Sequence, residues 1–91
     1  MSSYPTPLPG QALYSAIMSA LRNRTITLEA WCRESGVPSE AARRCMFGLN
    51  GGPVSKDRLN KLIDYAGRDV VLENYHRELL RQAEEFKRWA A

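Results

Sequence analysis

Between Gln11 and Arg22 the apolar residues Leu13, Tyr14, Ile17, Met18 and Leu21 recur at the i, i+3, i+4, i+7 spacing of one helix face. The pattern predicts an amphipathic first helix. A break over Asn23–Ile26 precedes Thr27, a good N-cap, and Glu29 follows where a helix N-terminus favours negative charge. This second helix has to stop at Gly36. A third opens at Pro38 or Ser39, because the N–H that proline lacks would be unpaired in a first turn anyway. It runs to Met46 or Phe47 and ends at Gly48. The stretch Asn50-Gly51-Gly52-Pro53 reads as a loop. Ser55 is then expected to cap a fourth helix, with Leu59, Leu62, Ile63 and Ala66 on one face and Gly67 as its terminator. Asp69 is expected to cap a fifth and longest helix reaching toward Ala91. No segment alternates as a strand would, so the expected fold is all-α, with four or five helices and a long C-terminal one.

In that last helix Leu72, Leu79 and Phe86 fall seven apart, with Tyr75, Gln82 and Trp89 at the companion positions. Part of the stripe must cover the chain's own core. A helix of ~20 residues spans ~30 Å, more than a domain this small needs, so its outer turns are expected to meet another chain. Leu79, Phe86 and Trp89 are the expected dimer interface, and packing within one chain is the alternative. Met1–Gly10, with three prolines and two serines, reads as a flexible tail. The expected organisation is a tail over 1–10, a helical domain over 11–67 and a packing and dimerisation helix over 68–91.

The most informative stretch is Thr27–Leu49, TLEAWCRESGVPSEAARRCMFGL. Two helices that cross steeply through a short turn need a left-handed residue in the turn, an apolar residue to lock it, and small or apolar residues where they touch. Gly36, Val37, and Cys32 with Ala42 and Cys45 meet these needs in turn, while Leu28 and Trp31 face the remaining core. The segment resembles the helix-turn-helix of phage repressor, Cro and lactose-repressor type regulators. The resemblance is strong over the motif and looser over residues 11–67, and it implies a repressor-like domain with a central helix-turn-helix.

In that family the second motif helix lies in the major groove with its first residues at base edges. Carried over, the outward residues Ser39, Glu40, Arg43 and Arg44 become the expected base readers, with Phe47 beside them. Arg44 suits bidentate donation to guanine O6 and N7, worth ~1–3 kcal/mol of discrimination. Thr27, opening the first motif helix, would approach a phosphate. Arg22, Arg24, Lys56 and Arg58 flank the reading helix in sequence as further phosphate contacts; for Lys56 and Arg58 plain solvated charge is the alternative. Two positions depart from the family pattern. Pro38 stands where a serine or threonine cap is usual, which leaves capping to Ser39. Glu40 turns a carboxylate toward DNA, which fits by accepting from cytosine N4 or by pinning a neighbouring arginine.

Charge distribution sharpens this picture. Of the 91 residues, the first 21 carry no charged side chain, and residues 22–58 hold seven basic groups against four acidic ones. From Leu59 onward six basic residues balance six acidic ones, so the net charge of +3 belongs to the segment around the motif. Cys32 and Cys45 form no CxxC pair, and His76 lies in another helix, so no metal centre is expected. Buried thiols acting as small hydrophobes are the expectation for both cysteines, against a redox switch. Trp31 is expected to fill the core and not to stack on bases. No nucleophile–base pair, paired carboxylate on one face or phosphate-cradling glycine loop is present, so an enzyme is not expected, nor is a cofactor. No run of ~18 apolar residues or signal-like N-terminus is found, so a cytoplasmic, nucleoid-associated protein without a membrane partner is expected.

Taken together, the sequence leads to a bacterial or phage-derived, sequence-specific transcription regulator. It would bind double-stranded DNA as a homodimer and act by occlusion, bending, or contact with RNA polymerase or another regulator. The alternative is a helical protein-interaction module of antitoxin or anti-repressor type that holds a protein partner through its C-terminal helix.

Overall fold

The apolar stripe that begins at Leu13 forms the centre of the molecule. It lies on α1 (Gln11–Asn23), and four further helices pack around it: α2 (Leu28–Ser35), α3 (Ser39–Phe47), α4 (Pro53–Ala66) and α5 (Arg68–Ala90). The structure is a computed structural model and describes residues 7–49 and 52–90. Among these there is no strand, and the all-α expectation with five helices holds. Leu13, Ile17 and Leu21 are fully buried, and α1 touches α3, α4 and, most extensively, α5. Ala16 carries only a methyl group, which lets α5 approach until Asn74 Nδ2 donates to the Ala16 carbonyl at 3.4 Å.

Every helix adds its apolar face to one cluster. Leu28 and Trp31 come from α2, Ala42, Cys45 and Met46 from α3, and Leu59, Leu62, Ile63 and Ala66 from α4. Val71 and Tyr75 of α5 belong to the same cluster, so the beginning of the last helix shares the core of the segment before it. Each large side chain buried here contributes roughly 1.5–3 kcal/mol against an exposed one.

Several helix ends form as the sequence reading expects. Thr27 caps α2, its Oγ1 accepting from Ala30 N–H at 3.1 Å. Gly36 takes the left-handed conformation at φ 76°, and its N–H closes the turn on the Cys32 carbonyl at 2.9 Å. Others differ. Helix α4 starts at Pro53, two residues before Ser55, because proline at the first position already has a helical φ; Gly52 is its N-cap. Helix α5 starts at Arg68, so Asp69 lies inside its first turn and does not cap it. The Gly67 carbonyl accepts from Val71 N–H at 2.9 Å, which lets one glycine end α4 and start α5. Ser39 is the first helical residue of α3, and extended Pro38 precedes it without a side-chain cap.

Residues 7–10 are bound to the body, where the sequence reading places a flexible tail. Leu8 N–H donates to the Tyr75 hydroxyl at 3.1 Å, and Gly10 N–H donates to the Met46 carbonyl at 2.8 Å. The remainder of that expected tail (residues 1–6), Asn50 and Gly51 of the expected loop, and Ala91 lie outside the described residues. The docked segment makes two glycines with similar backbones unequal. Gly36 has open space where a Cβ would stand, whereas a Cβ on Gly48 (φ 75°) would lie 2.9 Å from Pro9 Cβ. Gly36→Ala should cost about 1–2 kcal/mol of left-handed strain. Gly48→Ala should cost about 1–3 kcal/mol more through overpacking. Urea midpoints of the two variants check this; equal losses would show that the docked segment yields freely.

Past Tyr75 the last helix leaves the core. Leu79 is 39% exposed, Phe86 65% and Trp89 84%. The 23 residues of α5 span about 34 Å at 1.5 Å per residue, which accounts for an elongated molecule of 46 × 27 × 27 Å. Among the described residues no helix is long and apolar enough to cross a membrane.

Candidate nucleic-acid interface

Helices α2 and α3 and the turn between them divide their residues cleanly by side. The inner side holds Leu28, Trp31, Ala42, Cys45 and Met46, with Val37 locking the turn at 8% exposure. The outer side of α3 presents Glu40, Arg43 and Arg44 to solvent, with Ser39 half-buried. The left-handed Gly36 redirects the chain, and the buried Val37 holds the new direction. Trp31 is only 5% exposed, so its ring is a core filler, as expected. Beside it a cleft is walled by Val54, Asp57, Arg58 and Lys61 of α4.

The charges on the outer side are paired. Arg44 Nη2 donates to Glu40 Oε1 at 3.0 Å, one helical turn back. Of the two fits open to Glu40 from sequence, the pinning of a neighbouring arginine is present. Arg43 Nη2 lies 3.9 Å from Glu29 Oε1 in the first turn of α2, too far for a hydrogen bond but close enough for attraction. All four side chains are about half exposed or more, so each pair is worth less than ~1 kcal/mol of stability.

The flanking cations have separate fates. Arg24 Nη1 donates to the Tyr65 carbonyl at 2.8 Å, so this guanidinium caps the C-terminal end of α4. Its expected role on a phosphate competes with that contact. Arg22 is exposed in the last turn of α1, and Lys56 is exposed in α4; neither has a side-chain partner among the described residues. Arg58 is half-buried beside Gly36 and Val37, which brings it next to the motif turn. Arg33, which the sequence reading did not single out, lines the groove between α2 and α3 with Glu29, Cys32, Pro38 and Ser39. Its spacing of four from Glu29 was the available signal, since that spacing puts both on one face of α2.

Phe47 is corrected. It does not join the outward row but stacks on Tyr14 of α1, with ring centroids 4.8 Å apart and planes at 24°. The two cysteines are free, Cys45 buried and Cys32 half-buried in the groove. Burial pushes the Cys32 thiol above its ordinary pKa, and the nearby Glu29 adds to this while Arg43 opposes it. The thiolate is therefore disfavoured and the thiol is a poor nucleophile. No group of three or more metal-ligating side chains is found among the described residues.

On α5, Leu79, Phe86 and Trp89 continue the side that buries Leu72 and Tyr75, and the Phe86 and Trp89 rings lie 6.2 Å apart. Arg81 binds Glu78 and Glu85 beside this stripe, which neutralises the carboxylates at its edge. The hydrogen bond from Arg81 holds the Glu78 carboxyl below the usual carboxylate range. No protein-family model matches the chain, and neither a curated protein nor a solved structure does.

Proposed function

We propose that this chain is a sequence-specific regulator that binds double-stranded DNA in the manner of phage repressor and Cro proteins, with α3 in the major groove. The observation that carries the reading is the outward row Glu40, Arg43 and Arg44 on a short helix whose other side is buried behind a glycine turn. A helix with this exposure can enter a groove about 12 Å wide with its charged edge first. Thr27 and the free N–H groups at the start of α2 would meet a phosphate, and Arg22, Arg33, Lys56 and Arg58 supply cations around the motif. Arg24 is secondary, because its guanidinium already serves the end of α4. The chain acts as a homodimer through Leu79, Phe86 and Trp89 in a bacterial or phage setting, on the nucleoid.

Selection of bound sequences from a random duplex pool tests this directly. The expected result is a pair of inverted half-sites one helical turn apart, about 10–10.5 base pairs. Arg44→Ala should weaken selected-site binding by ~1–3 kcal/mol more than random-duplex binding. Arg22→Ala should weaken both alike and flatten the salt dependence by about one counterion. Equal loss on both duplexes for Arg44→Ala would remove its base-reading role. The uncovered stripe on α5 favours a second reading, a protein-interaction module, for which the wild-type chain would show no duplex affinity at low salt.

A further inference from the structure

The Glu40–Arg44 pair has a property that neither residue has alone. Arg44 Nη2 and Glu40 Oε1 sit side by side at 3.0 Å, on exposed side chains (54% and 79%) of the outward face. One hydrogen of Nη2 is used on Glu40, and the second remains available. Glu40 Oε1 has a lone pair left, and the other guanidinium nitrogens have no partner among the described residues. The pair therefore presents a donor and an acceptor next to each other at hydrogen-bond spacing.

A G·C base pair presents the complement. In the major groove guanine N7 and O6 accept and cytosine N4 donates. Guanine O6 and cytosine N4 are hydrogen-bonded to each other, so they are about 2.9 Å apart. We propose that Glu40 and Arg44 read one G·C base pair as a unit. Arg44 donates to guanine O6 while Glu40 accepts the outward amino hydrogen of cytosine N4. The four atoms close a ring in which neighbouring donors and acceptors alternate, and the original ion pair is kept. This assignment rests on the groove-reading function proposed above.

The same pairing explains how a carboxylate can belong on this face. At an A·T or C·G pair the couple is reversed, so Glu40 meets an acceptor, close to phosphates of its own sign. A T·A pair keeps an acceptor, thymine O4, beside a donor, adenine N6, but puts a methyl group where guanine N7 would accept from a second guanidinium nitrogen of Arg44. The carboxylate thus makes wrong sites worse, and specificity is gained by repulsion as well as by attraction. Tethering also biases Arg44 away from phosphates, where it would hold any sequence equally.

The test is parallel selection from one random 24-base-pair duplex pool with wild type, Glu40→Ala, Arg44→Ala and the double variant, each first shown helical by circular dichroism. Wild type should prefer G·C at one half-site position by roughly tenfold or more. Both single variants should lose that preference at the same position, and the double variant should lose little more. Glu40→Ala should also bind unselected duplex more tightly, with a salt slope steeper by about 0.9, as Arg44 becomes free to neutralise a phosphate. Glu40→Met, which keeps the volume and removes the acceptor, should behave like Glu40→Ala and covers the case of a poorly folded alanine variant. Loss at two different positions, or an unchanged preference in both Glu40 variants, overturns paired reading while groove binding stands. Failure of wild type to enrich any sequence overturns both.

Discussion

Trp31→Ala should lower the free energy of unfolding by about 3–5 kcal/mol, the usual cost of truncating a buried tryptophan. The ring is 5% exposed and contributes to the single core between the motif and α4. A chain of this length has roughly 5–14 kcal/mol in total, so the variant would be marginal or unfolded at room temperature. Trp31→Phe keeps an aromatic filler and should lose less. Urea unfolding followed by far-ultraviolet circular dichroism measures both. The result also decides between two roles for the residue. A variant that keeps its stability within about 0.5 kcal/mol of wild type but loses duplex affinity would make Trp31 a DNA contact and overturn the core assignment.

The second large effect is expected far from the motif. Phe86→Glu with Trp89→Glu should leave the fold intact, because both side chains are mostly exposed in the single chain. It should nevertheless abolish self-association. Affinity for a duplex with two half-sites should then fall by about 10²–10⁴, the gain that linking two binding modules ordinarily provides. Affinity for a single half-site should barely change. Sedimentation of wild type and variant reads the first effect, and duplex titrations read the second. Trp89 offers an independent probe: in a Trp31→Phe background, iodide quenching of its fluorescence should fall as protein concentration rises. A wild type that sediments as a monomer at high concentration would remove the dimer and favour a different partner for the stripe.

Both effects depend on how far local signals reach along this chain. The five helices were legible because each announces itself within about a dozen residues: an apolar face of period 3.6, a threonine cap, and a glycine where the backbone must turn left-handed. The pairing of Glu40 with Arg44 was legible for the same reason, since four residues on a helix is one turn. Start positions were less so. Proline's fixed φ moved the beginning of α4 ahead of Ser55, and the Gly67 carbonyl moved that of α5 ahead of Asp69, where local capping preferences pointed two or three residues later.

The candidate groove helix was identified by the sequence alone, through the turn chemistry of Gly36 and Val37 and the apolar residues behind it. Which charges around it are free was decided only by the tertiary structure. Arg24 is held by the carbonyl of Tyr65, 41 residues away, and Phe47 by the ring of Tyr14, 33 residues away; no local period encodes either contact. The docking of residues 7–10 against Met46 and Tyr75 is of the same kind. The repeat of Leu72, Leu79 and Phe86 defined a face of α5, but a period carries no information about where the opposing helix ends. Only the packing of α5 on α1 showed that cover stops after Tyr75, leaving Phe86 and Trp89 on an open face.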